Sequence, residues 1–235
     1  MTLRHPGPAA LAAALLLACG DGSGPSDSPY NPDVPADLAS AVTNEFFPLV
    51  PGTRWDYTGE TGEGTETTIV EVLEETRVVN GVTARIVHDR VFLDGDLIED
   101  TFDWYAQDGD GNVWYLGEDS KEIENGQVVS TEGSWEWGVD GALPGIVMWA
   151  DPAAHVDEEY RQEYYAGVAE DFGKVVGTGR DVDVPYGSLT GCIETEDRNG
   201  LEPGSAERKF YCPGIGFALE TSGGVSVELV DVTAP

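Results

Sequence analysis

The sequence predicts an all-β domain of antiparallel strands, and three observations carry that prediction. Apolar and polar residues alternate with period two over much of the chain, as in VTARIVHDRVFL at residues 82–93, which is the pattern of strands with one buried face. Asn80-Gly81, Asp94-Gly95 and Asn125-Gly126 separate such runs, and residue pairs that tolerate positive φ in this order make tight hairpin turns. No long stretch has the apolar period of an amphipathic helix; the two short helix candidates are residues 36–42 and 151–159.

At the N-terminus, residues 9–18 read AALAAALLLA behind Arg4. Such a run suits a secretory signal and falls short of the roughly 18–20 residues that span a bilayer. It ends in Leu16-Leu17-Ala18-Cys19, which resembles the bacterial lipobox. That resemblance implies cleavage after residue 18 and lipid on Cys19, so the protein is expected to be exported and held on a bacterial membrane, facing the periplasm or the cell surface. The expected division is a signal peptide at 1–18, the lipidated cysteine and a flexible tether at 19–43, and one all-β domain at 44–235. The tether is inferred from its Gly, Pro, Ser and Asp content.

Within the domain, strands are expected near 67–73, 82–93, 101–107 and 113–117. After Asn125-Gly126 comes VVSTEGSWEWG, and strands follow at 160–166, 174–178, 189–196, 206–212, 216–221 and 225–232. Residues 139–159 break the alternation and are expected to form a long loop covering the sheet. Leu143, Ile146, Met148 and Trp149 within it are the candidate lining of a ligand mouth. Cys192 and Cys212 lie in two expected strands, and in an exported chain such a pair predicts one disulfide.

The 235 residues include 12 Lys and Arg against 44 Asp and Glu, a formal charge of −32. That excludes nucleic acid as a partner, since phosphates require a cationic surface. It equally excludes a basic membrane-surface helix. Acid clusters at 94–100, 118–119, 157–159 and 170–171 read as a solvated acidic shell whose self-repulsion salt relieves.

Three motifs carry a family resemblance. Phe47-Pro48-Leu49-Val50-Pro51-Gly52-Thr53-Arg54-Trp55-Asp56-Tyr57 fits an FPL-x-PG-x-x-W-x-Y pattern, Val184-Pro185-Tyr186-Gly187 a VP-x-G strand, and Tyr211-Cys212-Pro213-Gly214-Ile215-Gly216 a Y-x-PG-x-G strand. Together they resemble a group of uncharacterised bacterial lipoproteins similar to LolA-like and LppX-like envelope proteins. The resemblance implies a single antiparallel meander curved into a half-barrel, with a short covering loop or helix. Relatives of that kind carry lipids or lipoproteins, but no motif here transfers that role.

Few residues suggest chemistry. Asp108-Gly109-Asp110-Gly111-Asn112 sets oxygen ligands at alternate positions, with Asp119 where an EF-hand loop places its last acid. Val113 replaces the required glycine and the flanks are strands, so the loop is no EF-hand. It reads as a polar turn, or as a Ca²⁺ site using Asp108, Asp110, Asn112 and Asp119. The six tryptophans suggest core support or carbohydrate stacking. There is no GxSxG elbow, HExxH, phosphate loop or GxGxxG. No catalytic residue and no cofactor beyond Ca²⁺ is expected. The leading expectation is a non-enzymatic envelope module that binds or scaffolds, anchored to a membrane by lipid and taking an apolar, lipid-like or protein ligand. The alternatives are a Ca²⁺-stabilised interaction protein and a glycan hydrolase using an Asp/Glu pair.

Overall fold

Tight turns set the architecture of the computed structural model, which describes residues 30–235 apart from 203 and 205. The expected signal peptide, Cys19 and tether residues up to 29 lie outside the described residues. Asn80 and Gly81 have φ of 45° and 86°, Asp94 and Gly95 51° and 92°, and Asn125 and Gly126 52° and 73°. All three pairs take the conformation that a two-residue turn between twisted strands requires.

The first turn joins β2 (Thr65–Val79) to β3 (Val82–Leu93) and the second joins β3 to β4 (Asp96–Gln107); with β1 (Arg54–Glu60) before them and β5 (Val113–Glu124) after, these strands form one meander, and the third turn leads out of β5. Three short strands then fold back on or near it: β6 (Gln127–Ser130), β7 (Trp135–Glu136) and β8 (Leu143–Met148), all paired with β5. After β9 (Glu159–Arg161) and β10 (Glu163–Tyr164), a second meander runs through β11 (Asp171–Val184), β12 (Gly187–Asn199), β13 (Glu207–Cys212), β14 (Gly216–Ser222) and β15 (Val225–Thr233). Pairing of β15 with β1 joins the two meanders. The resulting antiparallel sheet has the order β10-β8-β5-β4-β3-β2-β1-β15-β14-β13-β12-β11-β9.

The sheet curls almost into a barrel and leaves a seam between its two edges. Residues 159–164 bridge that seam: β9 pairs with β11 on one side, and β10 pairs with β8 on the other. Gly145 of β8 lets this crossing segment approach closely, because a Cβ there would lie 2.3 Å from the carbonyl oxygen of Arg161.

The expected loop over 139–159 is therefore interrupted by a strand, β8. Pro144 and Gly145 hide the alternation in the sequence, yet Trp114 pairs with Ile146 and Val113 with Met148. Residues 139–142 lead into this strand outside the ladder, and the stretch after Met148 leaves it again and contains a 3₁₀ turn at Pro152–His155 in place of the expected longer helix.

The domain also begins earlier than Asn44, since Pro32–Pro235 form one unit. Residues 36–42 are not helical. Ala39 exchanges both backbone hydrogen bonds with Gln107 at 2.9 Å, and Val42 bridges to Leu49. Val34 and Leu38 pack on an outer-face cluster of Val79, Ala84, Trp104, Ala106, Trp114 and Leu116. These anchors are four residues apart in a segment otherwise rich in Pro, Asp and Ala, so composition disguised them.

The inner face buries Val42, Leu49, Trp55, Tyr57, Val72, Val87, Val113, Met148, Ile193, Tyr211 and Leu229, with Phe46 and Phe47 packed against them. Residues 42–49 thus close one end of the barrel. The expected disulfide between Cys192 and Cys212 joins β12 to β13, and both cysteines belong to a second outer cluster with Val182 and Ala218.

Candidate ligand cavity inside the barrel

Alternation along each strand decides what the lumen contains. On β3 the inward positions include Val87 and Asp89; on β4 they are Tyr105, Asp103, Thr101 and Glu99. On β13 they are Tyr211 and Lys209. From the closed end outward, each strand therefore passes from apolar or aromatic to charged. The lumen holds a cavity of about 280 Å³ lined at one end by Phe47, Leu49, Trp55, Tyr57, Tyr105, Tyr211 and Phe217, and at the other by Asp89, Asp103, Lys209 and Glu220.

The aromatic end is tightly interlocked. Phe47 meets Tyr105 edge-on at 5.3 Å, Tyr57 lies 5.2 Å from Phe217, and Tyr211 lies 5.7 Å from Phe217. Such offset and edge contacts suit the charge distribution of the rings. Trp55 donates its indole N–H to the carbonyl of Ile215 at 2.9 Å, and Tyr57 its hydroxyl to Phe217 O at 3.1 Å. Trp55, Tyr57, Leu49 and Phe47 all come from the FPL-x-PG-x-x-W-x-Y motif, and Tyr211 from the Y-x-PG-x-G motif.

A bulge in β5 extends the charged end. Tyr105 pairs with Tyr115, whereas the preceding Trp104 pairs with Gly117, so Leu116 and Gly117 are bulged. Gly117 has φ +137°, and a Cβ there would lie 2.4 Å from Trp135 O. The bulge keeps Tyr115 and Glu118 both on the luminal side, with Glu118 directly opposite Asp103. Tyr115 stacks on Tyr105 at 4.9 Å and donates its hydroxyl to Asp103 Oδ1 at 2.6 Å. Trp135 donates its indole N–H to Glu163 Oε2 at 2.5 Å.

The charged end of the lumen is predominantly acidic. Lys209 Nζ stands 3.3 Å from Glu207, 3.6 Å from Asp197 and 3.8 Å from Glu220, so its single charge is shared among three carboxylates. Asp89 Oδ1, Asp171 Oδ1, Asp197 Oδ1 and Thr195 Oγ1 are buried with no hydrogen-bond partner. Burial, and then the charges of Asp103, Glu99 and Glu66, push Asp89 well above the usual carboxylate range. Burial raises Asp103 to about 7, against the Tyr115 bond and with Glu99 adding repulsion. Burial and the charge of Asp171 raise Glu163 to about 8, against the Trp135 bond, and burial raises Asp171 to about 6 against the pull of Lys209. Glu118 is raised well above its usual value by burial and then by Glu163 and Asp103. Part of the expected solvated shell therefore lies inside: Glu99, Glu118 and Asp171 belong to the lumen. Their neighbours Asp100 and Asp119 face outward, where Asp100 meets His88 at 2.6 Å and Asp119 meets Lys121 at 2.8 Å.

The residues singled out as a calcium loop have other partners. Asp108 Oδ1 accepts the N–H groups of Asp110 at 3.1 Å and Asn112 at 2.8 Å. Its Oδ2 accepts the Asn112 amide and the Trp114 indole, each at 2.9 Å. Burial acts to raise Asp108, but the bonds from Trp114 and Asn112 outweigh it and hold the carboxyl below its usual value. Asn112 Oδ1 accepts the N–H of Ala150, and the Asn44 amide donates to the carbonyls of Gly111 and Trp149. The loop thus fastens residue 44 and the start of 149–158 to the closed end. Asp119 sits apart on β5. Among the described residues, no group of three or more His, Cys, Asp or Glu is placed to hold a metal ion.

None of the four expected mouth residues lines the cavity. Met148 is buried in the inner core, and Ile146 packs on the outer cluster. Leu143 pairs with Tyr164. Trp149 stacks on His155 at 4.0 Å. Four tryptophans, Trp55, Trp104, Trp114 and Trp135, are 4–5% exposed, so they serve the core and not a carbohydrate platform.

No family model matches the chain and no curated protein matches it, so the LolA-like and LppX-like resemblance rests on the motifs alone. Two solved structures are similar over 81% of the chain. One, from Bacteroides fragilis NCTC 9343, is assigned as an exported protein with a YmcC-like fold; it is 15% identical, is covered over 100% of its length and has a TM-score of 0.47. The other, from Parabacteroides distasonis ATCC 8503, is assigned as a lipoprotein; it is 10% identical, is covered over 99% and has a TM-score of 0.43. At that distance neither carries an argument about this chain.

Proposed function

We propose that the protein is an exported bacterial lipoprotein whose barrel binds a small ligand in its lumen without transforming it. The export and membrane anchoring rest on the h-region and Cys19 in the sequence. The binding role rests on one observation, the cavity of about 280 Å³ between an aromatic floor and a charged rim. Ligand pockets commonly measure roughly 300–1,000 Å³ and combine apolar walls with a few placed polar groups. This one sits at the small end, which favours a compact ligand. An apolar or lipid-like body suits the aromatic floor, but carboxylates across the far end weigh against an acyl chain running through.

The test is native mass spectrometry of the lipoprotein extracted in mild detergent. A molecule of constant mass released on unfolding, and lost when Val87→Phe narrows the cavity, is the expected result. A wild-type protein that releases nothing and melts at the same temperature across a small-molecule panel counts against the reading.

A second reading, hydrolysis by an Asp/Glu pair, has in its favour that Asp103 and Glu118 are directly opposed. Turnover of an envelope glycan that Asp103→Asn abolishes would establish it.

A further inference from the structure

We infer that the luminal ligand is an organic cation: a compact amine whose ammonium group is held by Asp89 and Asp103 and whose apolar body rests on the aromatic floor. The inference deepens the binding role proposed above and rests on it.

The first support is the state of Asp89. Its side chain lines the cavity, and its Oδ1 is buried with no hydrogen-bond partner in the protein. A buried carboxylate oxygen without a donor is costly, and such atoms in native structures call for an occupant. The groups facing it supply none. From β2 comes Glu66, from β4 Asp103 and Glu99, and from β1 Tyr57. Its neighbour Arg90 ion-pairs with Glu71, and its attraction for Asp89 is weaker than the repulsion from Asp103, Glu99 or Glu66.

The second support is charge balance. Among the described residues, the one ammonium lining the cavity, Lys209, is already divided among Glu207, Asp197 and Glu220. Asp103 receives one hydrogen bond, from Tyr115, and no cation. Asp89 and Asp103 flank one diagonal of the β3–β4 ladder, since Asp89 pairs with Thr101 and Val87 with Asp103. Diagonal neighbours of this kind stand roughly 7–8 Å apart at Cα. One ammonium between them satisfies both.

The third support is the nature of the walls. The luminal carboxylates are spread around the cavity and do not gather three oxygen donors on one point, which a bare metal ion demands. Instead, the rings of Trp55, Tyr57, Tyr105 and Tyr211 face the same space. Aromatic faces attract organic cations and bury their apolar parts. At roughly 30 Å³ for each water-sized unit, the cavity admits a body of about ten non-hydrogen atoms.

The experiment uses three probes of one shape and different charge: 2-phenylethylamine, 2-phenylethanol and phenylacetate. Binding to the detergent-extracted lipoprotein is followed by calorimetry at matched, high ionic strength, so that the acidic surface is screened. The amine is expected to bind about tenfold or more tightly than the alcohol, as one hydrogen-bonded charge pair provides, and phenylacetate is expected not to bind. Asp89→Asn and Asp103→Asn each remove that preference, bringing the amine's affinity down to that of the alcohol. Because Asn keeps the size of the side chain and cannot ionise in the buried site, both variants are expected to fold, and their melting curves verify it. Amine binding near pH 7 also releases protons, read as a dependence of the heat on the buffer's ionisation enthalpy.

Equal affinity for amine and alcohol, or a preference that survives Asp89→Asn, overturns the inference. So does failure of the amine to bind. A neutral molecule released in the native mass spectrum would then leave the binding role standing, whereas an empty lumen there would remove that role as well.

Discussion

Tyr115 holds Asp103 across the β4–β5 ladder, its hydroxyl donated to Oδ1 at 2.6 Å while its ring stacks on Tyr105. The bond opposes the effect of burial on Asp103. Tyr115→Phe keeps the ring and removes the donor. It is expected to cost about 1–3 kcal/mol, the range for stranding a buried acceptor, and to move the Asp103 titration further upward. Denaturant midpoints and the carboxyl chemical shift against pH check the two effects separately. A variant as stable as the parent, with Asp103 titrating unchanged, would show that the bond matters to neither.

Stability should fall as pH rises through neutrality. Asp103, Glu163 and Asp171 titrate at about 7, 8 and 6 in the fold, against ordinary values of 3.8, 4.5 and 3.8. Between those limits the folded state holds more protons than the unfolded chain, so folding is favoured on the acid side. The contribution is complete below the ordinary values and is lost as pH climbs past 6 to 8. Melting temperatures in one ionic strength should therefore decline from pH 5 to pH 8.5; a curve that rises over that range would refute the protonated lumen.

Salt acts on the same imbalance from outside. With a formal charge of −32, mutual repulsion weakens the fold wherever it is unscreened. Raising NaCl from low to molar concentration should raise the melting temperature, and a flat response would sink the idea.

Asp108 makes a contrasting prediction. Four protein donors already occupy its two oxygens. Chelator, Ca²⁺ and Mg²⁺ at matched ionic strength should therefore give one melting temperature, and a Ca²⁺-selective rise of several degrees would establish a metal site. Asp108→Ala should destabilise by about 2–4 kcal/mol, because it strands the buried Trp114 indole and loosens the turn.

Reduction of Cys192–Cys212, which spans 20 residues, should cost about 2–4 kcal/mol by freeing the unfolded chain. A thiol-free variant unfolding at the parent's denaturant midpoint would contradict this.

Much of the fold was legible because it is written locally. Asn80-Gly81 and Asn125-Gly126 announce turns by chemistry alone, and Cys192 and Cys212 fall on strands that turn out to be neighbours. The lumen was not legible, for a physical reason. Asp89 and Asp100 look alike in a sequence of 44 acids, and only strand register places one inside and the other against His88. The strand at Leu143–Met148 is hidden in the sequence, because Pro144 and Gly145 mask its alternation and its pairing is supplied by distant β5 and β10. The aromatic floor did leave a trace, since the motif at 47–57 contributes Phe47, Leu49, Trp55 and Tyr57 to it.

The bulge at Leu116 and Gly117 makes β5 a parity switch. Before it, even-numbered side chains such as Trp114 and Leu116 belong to the outer cluster; after it, Glu118 and Ser120 belong to the interior, and Ser120 meets Thr101 at 2.9 Å. Without the bulge, strict alternation from Tyr115 would exchange inside for outside along the rest of the strand and bring Asp119 and Lys121 inward. Loss of one residue at the bulge itself would leave a regular strand with Glu118 and Ser120 still inside. The charge of the lumen is thus held by an odd-and-even count, and a single-residue deletion should be tolerated at Leu116 or Gly117 but elsewhere in the paired part of this strand only with a compensating change.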